Sequence, residues 1–251
     1  MASGNAFAEP KFVVQYKCTA MENVSMLINV LFGVTAIAAV LLFWKATNYS
    51  KSVIIVLSIW ILLQSILGLR GFYTNWSATP PRFPMLIIPP ALLIVVLFIL
   101  KKGRSFIDSL NLETLTILHA IRIPVEICLY YLFIAKLIPR AMTFEGSNFD
   151  LLSGISAPFV YYFAFVVKRM DWKFLLGWNI ICLGLLLNVV MTAFLSAKTP
   201  FQQLAFDQPN IGVTYFPYVL LPAVIVPIVL FSHLAGLRQI LRKETRIALA
   251  H

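Results

Sequence analysis

The sequence predicts an all-α polytopic membrane protein, with seven transmembrane helices in one integral membrane domain covering residues 1–251. Three observations carry this. Seven long apolar stretches fill most of the chain. The composition is 60% hydrophobic and 12% charged, at a mean hydropathy of +0.87, where a soluble domain holds roughly twice that charged share. Only the fourth stretch has charges in its middle.

A bilayer core of about 30 Å asks for about 20 apolar residues of helix, because backbone amides cannot be left unpaired in hydrocarbon. The first stretch that qualifies lies near 24–44 and carries Ser25, Asn29 and Gly33 at helical spacing, a stripe suited to close packing. The second, near 52–69, has Ser58, Ser65 and Gly68 in the same role, with Gln64 available for an interhelical hydrogen bond. The third spans 84–100, the fourth 114–138, the sixth 174–196 and the seventh 215–236. The fifth, 151–167, is uncharged but only 17 residues long, and it contains Gly154 and Pro158, which makes it the weakest span. Trp44, Trp60, Tyr73, Trp76, Trp172, Tyr215 and Tyr218 fall mostly near the ends of these stretches, as amphipathic rings at headgroup level should.

Charge orients the bundle. With seven spans and the N-terminus outside, twelve Lys/Arg lie on the cytoplasmic side and seven outside. If the fifth stretch did not span, the split would be thirteen to six, so loop charge alone does not fix the helix count. The net charge of +10 concentrates where anionic inner-leaflet lipid sits, which predicts a lipid partner and no nucleic acid. The first 20 residues hold no apolar run long enough for a signal peptide, and Phe12, Val13, Val14 and Tyr16 suit either an interfacial segment or a loose tail. Cys18, Cys128 and Cys182 form no metal or disulfide pattern and read as small core residues.

The fourth stretch carries the leading functional candidates. His119, Arg122 and Glu126 stand at i, i+3 and i+7, which places them on one face of a helix turning about 100° per residue. An isolated charge at that depth costs at least about 2.5 kcal/mol, so Arg122 and Glu126 are expected to pair across one turn and face the bundle interior. Pro124 between them frees the carbonyl of Ala120. The arrangement suits a solute or proton site, with an internal tie between helices as the alternative. Pro222 and Pro227 give the seventh stretch matching hinge candidates.

His233 lies at about the depth of His119, the minimum for a bis-imidazole haem or half a metal site. No third ligand is evident, and no cofactor is predicted. Asn179 and Asn188, nine apart, point to opposite faces of the sixth helix and are not expected to serve one site. Two loops predicted outside, 143–150 and 199–210, mix aromatic with carboxylate and amide residues. Glu145, Asn148, Asp150, Asp207 and Asn210 are their candidate ligands for a cation or a sugar-like solute, with helix capping and loop packing as the plainer use.

Phe83-Pro84 through Pro89 and Phe216-Pro217 through Pro222 share the pattern Phe-Pro-x4-Pro at the start of the third and seventh stretches. This suggests two parallel three-helix repeats joined by the fourth helix. The layout resembles that of the SWEET sugar transporters and their PQ-loop relatives in topology alone, since no Pro-Gln loop motif is present. The phrase Phe-Gln-Gln-Leu-Ala-Phe-Asp-Gln-Pro-Asn at 201–210, followed by the Pro-rich stretch ending Leu-Phe-Ser-His-Leu, is similar to uncharacterised multi-pass inner-membrane proteins of bacteria. That resemblance implies a location and no activity.

Three functions remain open. The first is a transporter or channel-like protein that binds a small solute or ion through Glu126 and His119. The second is a membrane sensor or assembly partner without catalysis. The third is a haem or metal redox protein using His119 and His233. An embedded hydrolase lacks its residues: no Ser, His and acid share a depth, and no His-Glu-x-x-His or Gly-rich phosphate loop occurs.

Overall fold

The computed structural model describes residues 23–76 and 78–248. The tail residues Phe12 to Tyr16, Cys18 and His251 lie outside the described residues. Among those described, all regular structure is helical apart from one isolated bridge, Ala197 to Asn210. Five helices are long and apolar enough to cross a membrane: Met26–Ala46, Lys51–Leu69, Leu112–Ile134, Trp172–Leu195 and Leu221–Arg242. Two further apolar helices, Ile88–Ile99 and Asp150–Val166, are shorter. The seven apolar stretches are thus all helical, with five of them of full spanning length.

The distribution of side chains is that of a membrane-embedded bundle. Ile59, Leu62, Leu69, Phe159, Ile181 and Met191 are exposed, whereas His119, Arg122, Glu126, Asn148, Asp150 and His233 are buried. Hydrocarbon on the outside reverses the usual cost of exposing leucine and leaves polar groups only the interior.

Helix α1 (Met26–Ala46) starts where the Ser25 hydroxyl accepts from the Leu27 amide, and ends in a turn with Asn48 and Tyr49 at positive φ. The indole of Trp44 closes that turn by donating to Ser50 O. Helix α2 (Lys51–Leu69) buries only Gln64 and Gly68 along its length. Helix α3 (Ile88–Ile99) stops at the extended residue Leu100, before Lys101 and Lys102. There the chain turns into α4 (Lys101–Asp108), an amphipathic helix that buries Gly103 and Ile107. Two lysines end the apolar run, so the backbone leaves the spanning direction where hydrocarbon would have to take charge.

Helix α5 (Leu112–Leu118) is capped by the Asn111 carbonyl oxygen, which accepts from the Thr114 amide at 2.7 Å. A 3-10 turn at His119–Ile121 joins it to α6 (Arg122–Ile134). Pro124 explains the interruption, since it has no amide to give Ala120 and the α ladder restarts just before it. Helix α6 ends at Ile134, and the chain turns at Lys136, at positive φ, with Leu137 N donating to Leu132 O. The helix therefore stops short of the 138 expected. Leu137 and Ile138 instead enter the core, and their carbonyls accept from Gly212 N and the Gln208 side chain.

Helix α7 (Asp150–Tyr161) continues as a π turn, Tyr162–Val166. A Cβ on Gly154 would lie 3.1 Å from Ile123 N, and the Asn148 side chain reaches Glu126. Helix α7 therefore begins level with Glu126, about 12 Å below the end of α6 at 1.5 Å per residue. This is why the fifth stretch looked short: its chain re-enters the bundle before turning helical. Irregular backbone at such depth needs protein around it, and Met142, Thr143 and Asn148 are buried.

Helix α8 (Trp172–Leu195) is capped by Asp171. The last helix opens as a π segment, Leu221–Ile225, and continues as α9 (Val226–Ala248). It starts later and ends later than the 215–236 expected. Its extension carries Arg238 and Arg242 to Asp108, and Gln239 to the carbonyls of Ile107 and Leu110, tying α9 to α4. Pro227 cannot donate to Ala223 O, and the indole of Trp60 fills that acceptor at 2.9 Å. The proline-freed carbonyl is thus one tie of the sparsely buried α2 to the bundle, beside the packing of Gly68 on Val219. The two Phe-Pro-x4-Pro segments differ in backbone: Phe83–Leu86 is 3-10 helix where Phe216–Val219 is turn, and Pro89 lies in α-helix where Pro222 lies in a π segment.

Candidate functional site

The polar stripe on α5 and α6 lies inside the bundle, facing α7, α8 and α9. His119, Arg122 and Glu126 are 1%, 3% and 2% exposed. The expected Arg122–Glu126 pair does not form. Arg122 instead donates through Nη1 to Asp150 Oδ1 at 2.5 Å. The reason is the depth at which α7 begins, which puts Asp150 at the guanidinium while Glu126 turns to the loop. Glu126 Oε1 accepts from Asn148 Nδ2 at 2.6 Å. The same amide donates to Met142 O, and Asn148 Oδ1 accepts from the Asp150 amide, so one side chain sets both the loop and the start of α7.

The other arm of Arg122 meets His233. Nη2 lies 2.8 Å from His233 Nε2, and His233 Nδ1 lies 3.0 Å from Asn179 Oδ1. A guanidinium can only donate, so Nε2 accepts. Asn179 Nδ2 is spent on Leu175 O, which leaves its oxygen to the ring, so Nδ1 carries the proton. His233 is therefore held as one neutral tautomer. Gly236 permits this, since a Cβ there would sit 3.3 Å from Asn179 Oδ1.

His119 stacks on His233 with ring centroids 3.8 Å apart and planes 12° from parallel, and it meets Trp178 edge-on at 5.7 Å. Ring-nitrogen lone pairs lie in the ring plane, so two stacked imidazoles do not converge on one ion. Both nitrogens of His233 are also engaged. The bis-imidazole arrangement considered from sequence is not the one formed, and among the described residues no group of three or more His, Cys, Asp or Glu gathers to hold a metal.

A cavity of about 70 Å³ adjoins this cluster. Arg122, Glu126 and Asp150 form its polar end, and its walls are aliphatic, with Leu129, Leu186, Val190, Pro222 and Val229 among them. It is several times the roughly 10–15 Å³ one water needs, and far below the ~300 Å³ at which drug-sized ligand pockets begin. Among buried side-chain atoms without a hydrogen-bond partner are His119 Nδ1, Arg122 Nε and Glu126 Oε2, all on this one stripe. An unmatched buried polar atom costs about 1–3 kcal/mol, and more when charged. The charge of Arg122 is answered by Asp150, whereas among the described residues no cationic side chain forms an ion pair with Glu126. Glu126 is the group at which the site is incomplete.

The loop candidates separate. Asn148 and Asp150 belong to the interior site and not to an outer cap. Asn210 is buried and donates to Ala193 O, a structural tie. Glu145 and Asp207 are exposed and join neither. Asn179 and Asn188 do point apart, yet both support the site: Asn179 holds His233, and Asn188 donates to Ser147 O beside Asn148. Of the hinge candidates, Pro222 lines the cavity within the π segment and Pro227 begins the helix that follows. Trp178 and Ser153 escaped the sequence reading. Ser153 lies 3.5 Å from Asp150 Oδ1, and Trp178 donates to Ser156. Their one sequence signal is position on the inward faces of α7 and α8.

A family described as a domain of unknown function, DUF8737, matches residues 80–241. The match takes in α3 to most of α9 and hence every residue of the cluster, but not α1 or α2. No curated protein and no solved structure matches the chain.

Proposed function

The chain belongs to the DUF8737 family, and we propose that it works as a transporter or channel-like protein whose small solute or ion binds at Glu126. One observation carries this reading: a carboxyl oxygen, buried and without a partner, on the wall of a cavity inside an apolar bundle. A scaffold tie would pair its charge, as Arg122 and Asp150 pair theirs. Intramembrane ionisable residues left unmatched are where pathways run. The helices around the cavity also depart from regular α geometry beside it, at His119–Ile121 and Leu221–Ile225, and such interruptions are frequent at functional sites.

On this reading α3 and α7 complete seven spans, with α7 reaching the cavity from one side only. With seven spans, Lys45, Lys51, Lys101, Lys102, Arg104, Lys168, Arg169, Lys173, Arg238 and Arg242 fall at one end, against Arg70, Arg82, Lys136, Arg140 and Lys198 at the other. The first end is then cytoplasmic in an inner membrane, with the N-terminus outside. The test is proton flux into liposomes carrying a trapped pH dye. Wild type is expected to pass protons down a pH gradient, and Glu126→Gln, nearly isosteric and uncharged, to lose most of that flux. Equal flux in two equally stable proteins defeats the assignment of Glu126.

A further inference from the structure

We infer that the cavity binds a small primary alkylammonium cation, methylammonium to propylammonium in size, in exchange for a proton on Glu126. This rests on the reading of Glu126 as the solute site and adds the class of solute.

The walls decide the class. A sugar needs many hydrogen-bond partners, and the cavity surface is almost entirely Leu, Ile, Val, Ala and Pro beyond its polar end. The sugar substrate that a SWEET-like layout implies has nothing here to bind it. Calcium or magnesium needs about six or more oxygens, and the carboxyls of Glu126 and Asp150 supply too few, one of them already committed to Arg122. An anion would face both carboxyls, and the guanidinium that could hold it is already bonded to Asp150 and His233, with only Nε left. What remains is a monovalent cation with an apolar body and N–H groups, whose alkyl part suits aliphatic walls and whose ammonium donates to Glu126 Oε2. A volume of about 70 Å³ accommodates a body of a few carbons.

One free oxygen makes binding exclusive. As the ammonium arrives, the O–H bond of a protonated Glu126 breaks and its proton leaves to water; as the ammonium departs, the carboxylate takes a proton back. Charge and atoms balance without any redox partner. The groups that face Glu126 are Arg122 on its own helix and Asp150 on α7, which answer each other. Helix α8 offers the cavity only Leu186, Val189, Val190 and Ala193, and α9 only aliphatic residues until His233, which is held on Arg122. Among the described residues no other charged group lines the cavity.

The test is calorimetric titration of the purified full chain in micelles with methylammonium chloride, from about pH 5 to about pH 8. Affinity is expected to rise about tenfold per pH unit while Glu126 is protonated and then to level off. Tetramethylammonium, without an N–H, and neutral propanol are expected to bind at least about tenfold more weakly. Glu126→Gln is expected to abolish binding. The wild-type pH slope stands as evidence even if that variant folds poorly. Methylammonium binding that ignores pH, survives Glu126→Gln, or is missing throughout overturns the inference. Glu126-dependent proton flux without amine binding leaves the site standing and removes the amine. Glu126-dependent amine binding without flux supports the amine and removes transport.

Discussion

Removing either member of the Arg122–Asp150 pair breaks the same contact, yet the two variants are expected to behave differently with pH. Asp150→Asn leaves a guanidinium that is 3% exposed with no anion bonded to it. Arginine cannot shed its proton, so the loss should be about 3–5 kcal/mol, the usual cost of breaking a buried pair, and nearly constant with pH. Arg122→Met leaves Asp150 unpaired, but a carboxylate can take a proton. From an ordinary Asp value near 3.9, at about 1.36 kcal/mol per unit, that escape costs about 4 kcal/mol at pH 7 and about 1.5 kcal/mol at pH 5. The sign follows from linkage: the folded variant binds a proton at Asp150 that the unfolded chain does not, so its stability rises as pH falls. The double variant Arg122→Met, Asp150→Asn should lie closer to wild type than Asp150→Asn alone. The assay is reversible SDS unfolding in mixed micelles, followed by tryptophan fluorescence at both pH values. Equal pH dependence of the two single variants, or strict additivity in the double, refutes the pairing argument.

Two other contacts give measurable consequences. Trp60→Phe keeps an aromatic ring but strands Ala223 O, and should cost about 0.6 kcal/mol, the average for hydrogen bonds within membrane bundles, and at most about 1.7 kcal/mol. In a Pro227→Ala background, where the restored amide can serve that carbonyl, the cost should shrink by at least about half, and an additive cycle contradicts the role given to Pro227. Asp108→Asn releases Arg238 and Arg242 from a partly exposed fork and should cost about 1 kcal/mol at low salt, less at high salt. A penalty independent of salt means that the contact is not electrostatic.

The buried residues of the fourth stretch were legible because hydrocarbon gives charge no neutral background to hide in, and His119, Arg122, Glu126 and His233 all lie within the bundle. The extents of α1, α2 and α8 followed equally well from hydropathy, since each runs from end to end without interruption. Asp150 and Asn148 were misplaced for a physical reason: hydropathy records which residues are apolar, not how far a loop dips back among helices. Their depth depends on Gly154 packing against Ile123 and on buried loop carbonyls, contacts made by residues distant in sequence. Arg122 accordingly had a local candidate, Glu126, that a tertiary partner displaced. Trp60 read as a membrane-interface ring, because its acceptor is created by a proline 167 positions away in the chain, between Trp60 and Pro227.

The most direct measurement is thiol labelling of Ala193→Cys, on the cavity wall, against Leu187→Cys, which is 51% exposed on the apolar exterior. Cys128 and Cys182 are buried, and their background is taken from the parent protein. Aminoethyl methanethiosulfonate, a small primary ammonium reagent, should modify Ala193→Cys at least about tenfold faster than Leu187→Cys, because a thiolate forms in a watered cavity and not in lipid. Adding Glu126→Gln should slow the cationic reagent and leave a neutral one unchanged. Equal rates at the two positions, or a cationic rate indifferent to Glu126, contradict a charged, accessible cavity at the centre of this bundle.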